Sequence, residues 1–299
     1  MSHDHDHHGN ELGNIRLAFF LNIVFTVFEI IGGLWTNSLA IMADAIHDLG
    51  DSFALGSAWF LERLSMKKGD MLYSYGYHRF SLLGALITSA MLITGSLFIL
   101  LKAIPRLIHP QIPYVPGMLA FAIIGIMVNG AAVLKLKGSA GMNAKMVAWH
   151  LLEDVLGWAA VLAVGIILFF KDMPVLDPLL SCLITFYVLF NVLKNLGKTL
   201  GIFMQGVPEG VDVMAIETGI RSLKHVTCTH HTHIWSLDGM HHVLTTHVVV
   251  DNDATKDDII LIKERIRDLM LAHDMDHSTV EIEYSDEECR INPDTCNCA

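Results

Sequence analysis

The chain has few charged residues for its length, and this scarcity excludes most soluble folds. Only 17% of the 299 residues are Asp, Glu, Lys or Arg, whereas 53% are hydrophobic and the mean hydropathy is +0.47. Soluble globular proteins carry about 25% charged residues. The composition therefore predicts an integral membrane protein embedded in a lipid bilayer.

Long apolar runs account for this composition and predict a bundle of six membrane-spanning helices. A helix needs about 20 mostly apolar residues to cross a bilayer. Six segments reach that length: about 15–35, 38–61, 81–103, 115–136, 147–170 and 175–196. The start of the chain lacks the basic stretch of a secretory signal, so we expect no cleavable signal peptide.

Lys and Arg are concentrated on one side of the predicted spans, which indicates the orientation. The side that holds Arg16 and the loop 62–80 is rich in basic residues, whereas the other side holds only Lys102, Arg106 and Lys171. Basic loops stay in the cytoplasm. Both termini are therefore expected to be cytoplasmic, and the short loop before the fifth span suggests a bacterial inner membrane.

The region after the last span differs in charge from the rest of the chain. Residues 205–299 contain 18 acidic and 7 basic residues, and this excess accounts for the whole net charge of −11. Such a region attracts cations, and we expect no nucleic-acid binding. The predicted domains are a His/Asp-rich tail (1–14), a six-span domain (15–204), a cytoplasmic metal-binding and dimerisation domain (205–286) and a Cys-containing tail (287–299).

The cytoplasmic domain has the pattern of a small α+β fold. Thr255 before an amphipathic run, with acidic residues in the first turn, is typical of a helix start. The predicted order αββαβ indicates a two-layer, ferredoxin-like sandwich. Its elements are a helix over 210–223, strands over 226–236 and 241–250, a helix over 255–272 and a strand over 278–284.

Two copies of one motif lie inside predicted spans: His47-x-x-x-Asp51 and His150-x-x-x-Asp154. The spacing of four residues puts both side chains of a motif on one helix face. Two such faces turned toward each other offer two nitrogens and two oxygens, a tetrahedral set suited to Zn²⁺. The motifs therefore predict a metal site inside the membrane.

Asp44 lies on the same stripe as His47 and Asp51. Two roles are open for it: a carboxylate on the access path of the ion, or a hydrogen-bond partner that orients His47.

The residues quoted so far, together with the runs Val175-Leu-Asp177-Pro178 and Gln205-Gly-Val-Pro-Glu209, resemble the cation diffusion facilitator family, in particular its zinc-transporter branch. The resemblance implies a homodimer that exports divalent metal ions in exchange for protons. It also implies that His47, Asp51, His150 and Asp154 are the transport ligands. Two nitrogens and two oxygens favour Zn²⁺, with Cd²⁺ and Co²⁺ as further substrates.

The chain departs from the family pattern in the loop after the second span. Some members bind a second metal there through an Asp and two His. Here Asp70 is present, but Tyr73 and Tyr77 replace the histidines. We expect this site to be missing.

In the cytoplasmic domain the ligand set depends on the hairpin loop. A two-residue loop at 238–239 places His230 opposite His247, whereas a five-residue loop places His233 there; the resemblance favours His233. The last strand offers Glu283 as a further ligand. Zn²⁺ bound here would be regulatory, and the alternative is that individual histidines are solvated strand residues.

The two ends contain further donors whose role stays open between metal capture and an inert tail. They are His3, His5, His7 and His8 at one end, and Cys289, Cys296 and Cys298 at the other. The chain has only five cysteines, and we expect the cytoplasmic ones to stay reduced, without a disulfide framework.

Three other functions compete with metal export. An intramembrane metalloenzyme would need an open ligand position and a general base, but no His-Glu-x-x-His motif is present. A metal receptor or sensor that does not transport is compatible with the cytoplasmic domain. An exporter of organic cations would need an aromatic cavity in place of the His and Asp pairs.

Overall fold

The computed structural model describes residues 5–136 and 142–287. Long helices make up its first part. They are α1 (His5–Thr36), α2 (Leu39–Ser65), α3 (Arg79–Ile108), α4 (Val115–Leu136), α5 (Met142–Phe170) and α6 (Leu176–Phe203). A helix therefore occupies each of the six segments that the apolar runs indicated.

Four of these helices are long and apolar enough to cross a membrane. Their apolar stretches are Arg79–Ile108, Val115–Lys135, Trp149–Phe170 and Leu176–Phe203, with mean hydropathies of 1.8 to 2.1. Within the described residues the apolar part of α1 is shorter, Asn22–Thr36. Helix α2 is continuous, but its aspartates lower its mean hydropathy. A helical membrane domain is thus confirmed, with four of the six expected spans meeting this test of length and composition.

The chain divides into two compact units. The helical unit comprises Met1–Lys67 and Leu83–Leu196, and the C-terminal unit comprises Lys68–Leu82 and Gly197–Ala299. The loop between α2 and α3 therefore belongs to the same unit as the residues that follow α6.

Trp158 of α5 lies at the centre of the main core of the helical unit. Its side chain is fully buried, and it shares a cluster with Ile41 of α2 and Phe121 of α4. Gly125 of α4 makes room for the indole, because a Cβ at that position would lie 2.3 Å from Trp158 Cδ2. A buried aromatic side chain removes roughly 150–250 Å² from solvent, so this cluster holds α2, α4 and α5 together.

Asp177, in the first turn of α6, caps the beginning of α2. Its Oδ1 accepts hydrogen bonds from Ser38 Oγ (2.5 Å) and Ala40 N (3.3 Å), and its Oδ2 accepts one from Leu39 N (2.8 Å). The carboxylate satisfies amide groups that have no partner inside the helix, and its charge complements the helix dipole. This contact fixes where α2 begins relative to α6.

The C-terminal unit contains a three-stranded sheet and two helices in the predicted order. The elements are α7 (Val213–Arg221), β1 (Val226–Ser236), β2 (His242–Val250), α8 (Lys256–Ala272) and β3 (Met275–Tyr284). Strand β2 is central; it pairs antiparallel with β1 and parallel with β3. An α/β domain after the membrane helices is therefore confirmed.

Both helices of this unit pack against the sheet in one core. Ile220 of α7 and Ile266 of α8 are buried in the same cluster as Leu244 of β2. Thr255 is the N-cap of α8, as predicted, and it forms a capping box with Asp258. Hydrogen bonds from the Thr255 hydroxyl and backbone N–H outweigh the small effect of burial and lower the pKa of Asp258.

A β-bulge changes the register of the hairpin. The loop is five residues long, because Ser236 pairs with His242, but the pairing shifts between His233 and His230. His231 has φ = 49°, a left-handed backbone conformation that occurs in such irregularities. The five-residue loop pairs His233 with Thr245, and the extra residue of the bulge then places His230, one position before His231, opposite His247.

Replacing Asp177 with alanine should destabilise the helical unit. Three buried donors would lose their acceptor, and we expect the free energy of unfolding to fall by about 2–4 kcal/mol. Denaturant unfolding of the detergent-solubilised protein, followed by tryptophan fluorescence, measures this change. Asp172→Ala, at an exposed position nearby, is the control and should change stability by less than about 0.5 kcal/mol. Equal stability of the two variants would contradict the capping role.

Candidate metal-binding site

The two predicted motifs each form a close pair on one helix. On α2, His47 Nε2 lies 3.4 Å from Asp51 Oδ2, and on α5, His150 Nε2 lies 4.0 Å from Asp154 Oδ2. The spacing of four residues along each helix accounts for this proximity.

The packing of α2 against α5 brings the two pairs to one point. Asp51 Oδ2 also lies 3.3 Å from His150 Nε2, and the ring centroids of His47 and His150 are 6.0 Å apart. Ligand atoms of His47, His150 and Asp154 all lie within 4.8 Å of one another. Gly157 faces Asp44, since a Cβ there would lie 3.5 Å from Asp44 Oδ1, so α5 passes close to α2 beside the site.

The spacing of these atoms suits a shared ion better than a set of hydrogen bonds. Two ligand atoms bound tetrahedrally to Zn²⁺ lie about 3.3 Å apart, and Asp51 Oδ2 is at 3.3 and 3.4 Å from the two imidazole nitrogens. That oxygen and His47 Nδ1 are buried without a hydrogen-bond partner among the described residues. The histidine side chains keep 27% and 39% of their surface exposed, so an ion can reach them.

Further carboxylates lie around this group. Asp44 and Asp48 on α2 and Glu29 on α1 are all buried. Asn22 of α1 donates hydrogen bonds to Asp48 O and to Ser52 Oγ, at 3.1 and 3.0 Å. Three further carboxyl groups therefore lie in the interior around the site.

A second cluster lies on the sheet of the C-terminal unit. His247 Nδ1 is 2.6 Å from Glu283 Oε1, and His230 Nε2 is 3.1 Å from Glu283 Oε2. All three residues are buried. Burial, the largest effect, lowers the pKa of His230 despite the opposing charge of Glu283, which favours the neutral imidazole that binds metal.

The expectation that His233 faces His247 is wrong. The five-residue loop pairs His233 with Thr245 and leaves the His233 side chain exposed, so His233 lies two residues away from the position opposite His247. The sequence analysis missed His231, whose ring lies 5.4 Å from that of His247. A regular hairpin with the observed five-residue loop would pair these two residues directly, so counting from that loop would have revealed the contact.

Asp70, in the loop after α2, accepts hydrogen bonds from Tyr73 and Tyr77, which lie where the resemblance implied histidines. Its carboxylate accepts hydrogen bonds from Tyr77 Oη (2.8 Å) and from the N–H groups of Leu72 and Tyr73. The hydrogen bond to Asp70 raises the pKa of the Tyr77 phenol. The carboxylate therefore serves the loop structure here.

Some predicted donors lie outside the described residues. These are the side chains of His3, His5, His7 and His8, and of Cys289, Cys296 and Cys298. Cys228 is disulfide-bonded, so the expectation that the cytoplasmic cysteines stay reduced does not hold for this residue.

Two family models match the chain. One describes the cation efflux transmembrane domain and matches residues 15–204; the other describes the cytoplasmic domain of cation efflux proteins and matches residues 208–285.

Curated relatives match over nearly their whole length. The cadmium, cobalt and zinc/H(+)-K(+) antiporter of Bacillus subtilis is 33% identical over 95% of this chain and 92% of its own. The metal cation efflux system protein CzcD of Cupriavidus metallidurans is 31% identical over 95% and 90%. The zinc transporter ZitB of Pectobacterium atrosepticum is 31% identical over 99% and 92%.

Proposed function

This chain belongs to the cation efflux family, and from that premise we propose that it exports Zn²⁺, and also Cd²⁺ and Co²⁺, from the cytoplasm in exchange for protons. The family is one of transporters and not of enzymes. The observation that carries the proposal is the convergence of His47, Asp51, His150 and Asp154 where α2 meets α5.

The donor set supports a preference for zinc-like ions. Two imidazole nitrogens and two carboxylate oxygens suit Zn²⁺, Cd²⁺ and Co²⁺, whereas Mg²⁺ and Mn²⁺ prefer oxygen ligands throughout. Asp44 and Asp48 place further carboxyl oxygens beside this donor set, and zinc-like cations also accept oxygen ligands. We assign Asp44 to the access path, because it is buried beside Gly157 of the facing helix.

Exchange for protons follows from the chemistry of the same four groups. Zn²⁺ binds neutral imidazole and ionised carboxylate, so metal and protons compete for one set of atoms. A site that opens to one side with metal and to the other with protons carries the two in opposite directions. Two alternative packings of the helices provide this alternating access.

We further propose six spans, cytoplasmic termini and a homodimer in a bacterial inner membrane. The aspartates that lower the hydropathy of α2 lie in the interior of the helical unit, where Asp44 and Asp48 are buried, so they do not prevent α2 from crossing the bilayer. The distribution of Lys and Arg supports the orientation. The bacterial origin of the relatives supports the membrane assignment.

The buried cluster of His230, His247 and Glu283 supports a regulatory zinc site in the cytoplasmic domain. Its residues offer two nitrogens and a carboxylate within 4.8 Å of one another. A bound dication would reduce the repulsion within residues 205–299, which carry 18 acidic and 7 basic residues. A receptor without transport activity would use the same cluster, and a flux measurement separates the two functions.

Removing a transport ligand should abolish zinc transport without unfolding the protein. In proteoliposomes, His47→Ala and Asp154→Ala should each transport at less than about 1% of the parent rate, since loss of even an outer partner costs roughly 10–100-fold in metal affinity. Glu153→Gln is the control: Glu153 is exposed and accepts a hydrogen bond from Tyr187. Transport retained in either ligand variant would refute the assignment.

A pH gradient should drive the zinc flux. Vesicles with an acidic lumen should take up zinc faster than vesicles without a gradient, because protons leaving the lumen exchange for entering metal. A gradient of one pH unit supplies about 1.4 kcal/mol per proton. A fluorescent zinc indicator and a lumenal pH dye measure both fluxes. Zinc uptake at the same rate with and without the gradient would exclude proton coupling. No zinc uptake under either condition would favour a metal receptor without transport activity.

The register of the hairpin predicts which cytoplasmic histidines bind zinc. In full-length protein whose transport site is disabled by His47→Ala and Asp154→Ala, a further His230→Ala or His247→Ala change should weaken zinc binding in calorimetry by at least about 10-fold. His233→Ala should leave it unchanged, because His233 is exposed and faces Thr245. A loss in the His233 variant alone would contradict the proposed ligand set.

A further inference from the structure

A third group of metal-binding side chains lies within the C-terminal unit, away from the sheet cluster. It joins His78, in the segment just before α3, to Asp238 and His241, in the turn between β1 and β2. His78 Nδ1 lies 3.3 Å from Asp238 Oδ2, and His241 Nδ1 lies 2.7 Å from the same oxygen. The ligand atoms of all three residues lie within 4.8 Å of one another.

The hairpin turn orients the carboxylate of Asp238. Its Oδ1 accepts hydrogen bonds from the N–H groups of Met240 (2.9 Å) and His241 (2.8 Å). Gly239 has φ = 99°, which favours glycine, and its N–H donates to Ser236 Oγ at 2.8 Å. One oxygen is thus held by the backbone, and the other faces both imidazoles.

The group has the composition and spacing of a site for a zinc-like dication. Two nitrogens and one oxygen make up three of four tetrahedral ligands and leave one position for water. The distance from His78 Nδ1 to Asp238 Oδ2 equals the roughly 3.3 Å expected between ligands of one Zn²⁺, whereas His241 Nδ1, at 2.7 Å, is at hydrogen-bond distance from the same oxygen. The side chains are 28%, 11% and 41% exposed in the order His78, Asp238 and His241, so an ion can enter.

A purely structural role explains these contacts less well. The hydrogen bonds of Asp238 to the turn need no histidine from another segment. The rings of His78 and His241 lie with their centroids 4.3 Å apart. Two segments thus place imidazoles side by side at one carboxylate oxygen, an arrangement typical of ligands that share one cation.

We propose that His78, Asp238 and His241 form a divalent-metal site that connects the segment 68–82, which is the loop after α2 and the first turn of α3, to the β1–β2 turn. This site is separate from the transport ligands and from the cluster of His230, His247 and Glu283, and it goes beyond the export function proposed above. The loop follows α2 directly, because α2 ends at Ser65. Metal bound here restrains the segment that connects α2, which carries His47 and Asp51, to α3. Cytoplasmic zinc can then regulate transport at this site as well as at the cluster on the sheet.

Zinc stoichiometry tests the proposal in the full-length chain. The transport site is first disabled by His47→Ala and Asp154→Ala, so that failure of the export function does not affect the result. In this background, His78→Ala, Asp238→Asn and His241→Ala should each lower the zinc retained after equilibrium dialysis by about one ion per chain. The control is His277→Ala: the His277 ring lies 5.5 Å from Tyr75 of the same loop but outside the proposed ligand set.

Hydrogen exchange provides a second readout. Zinc should protect the amides of residues 68–82 and 237–242 together in the background protein, and this protection should disappear in the His78 and Asp238 variants. His78→Gln, a polar replacement, gives the same comparison if the alanine variant fails to fold. Unchanged stoichiometry in all three variants, zinc protection that persists without His78, or loss of the same ion in His277→Ala would each overturn the assignment.

Discussion

The packing of α2 against α5 is the contact on which the helical unit depends, because its ionisable side chains meet there. Asp51 Oδ2 lies within 3.4 Å of nitrogens from both helices. An isolated charge at the centre of a membrane helix costs about 3 kcal/mol even on insertion scales, and four such groups on separate faces could not be accommodated. Facing one another, they compensate part of this cost, and a dication compensates more of it.

Two other contacts hold α2 in the position that this meeting requires. Trp158 fills the space beside Gly125 and binds α5 into the same core as Ile41 of α2. Asp177 fixes the first turn of α2 through three hydrogen bonds. Apolar packing therefore sets the distance between the helices, and a buried cap sets the height of His47 and Asp51 along the bundle.

The sequence predicted the helices, the order of the C-terminal elements and the cap at Thr255, because these depend on local patterns. Helical spacing also predicted that each His and Asp of a motif would be neighbours. The sequence did not predict that His230, in place of His233, lies opposite His247, since the loop length and the bulge at His231 depend on how the two strands of the hairpin pair. Nor could it predict that His78 approaches the turn at Asp238, because those residues are far apart in the chain.

The cap on α2 comes from a residue 139 positions later than Ser38. During synthesis the first helices enter the bilayer well before the ribosome delivers Asp177, so the amides at the start of α2 initially lack their acceptor. Closing such a distant contact is entropically unfavourable until most of the intervening helices have packed. The start of α2 is consequently fixed late in biogenesis, and a nascent chain cut short before its sixth helix lacks the acceptor for the first amides of α2.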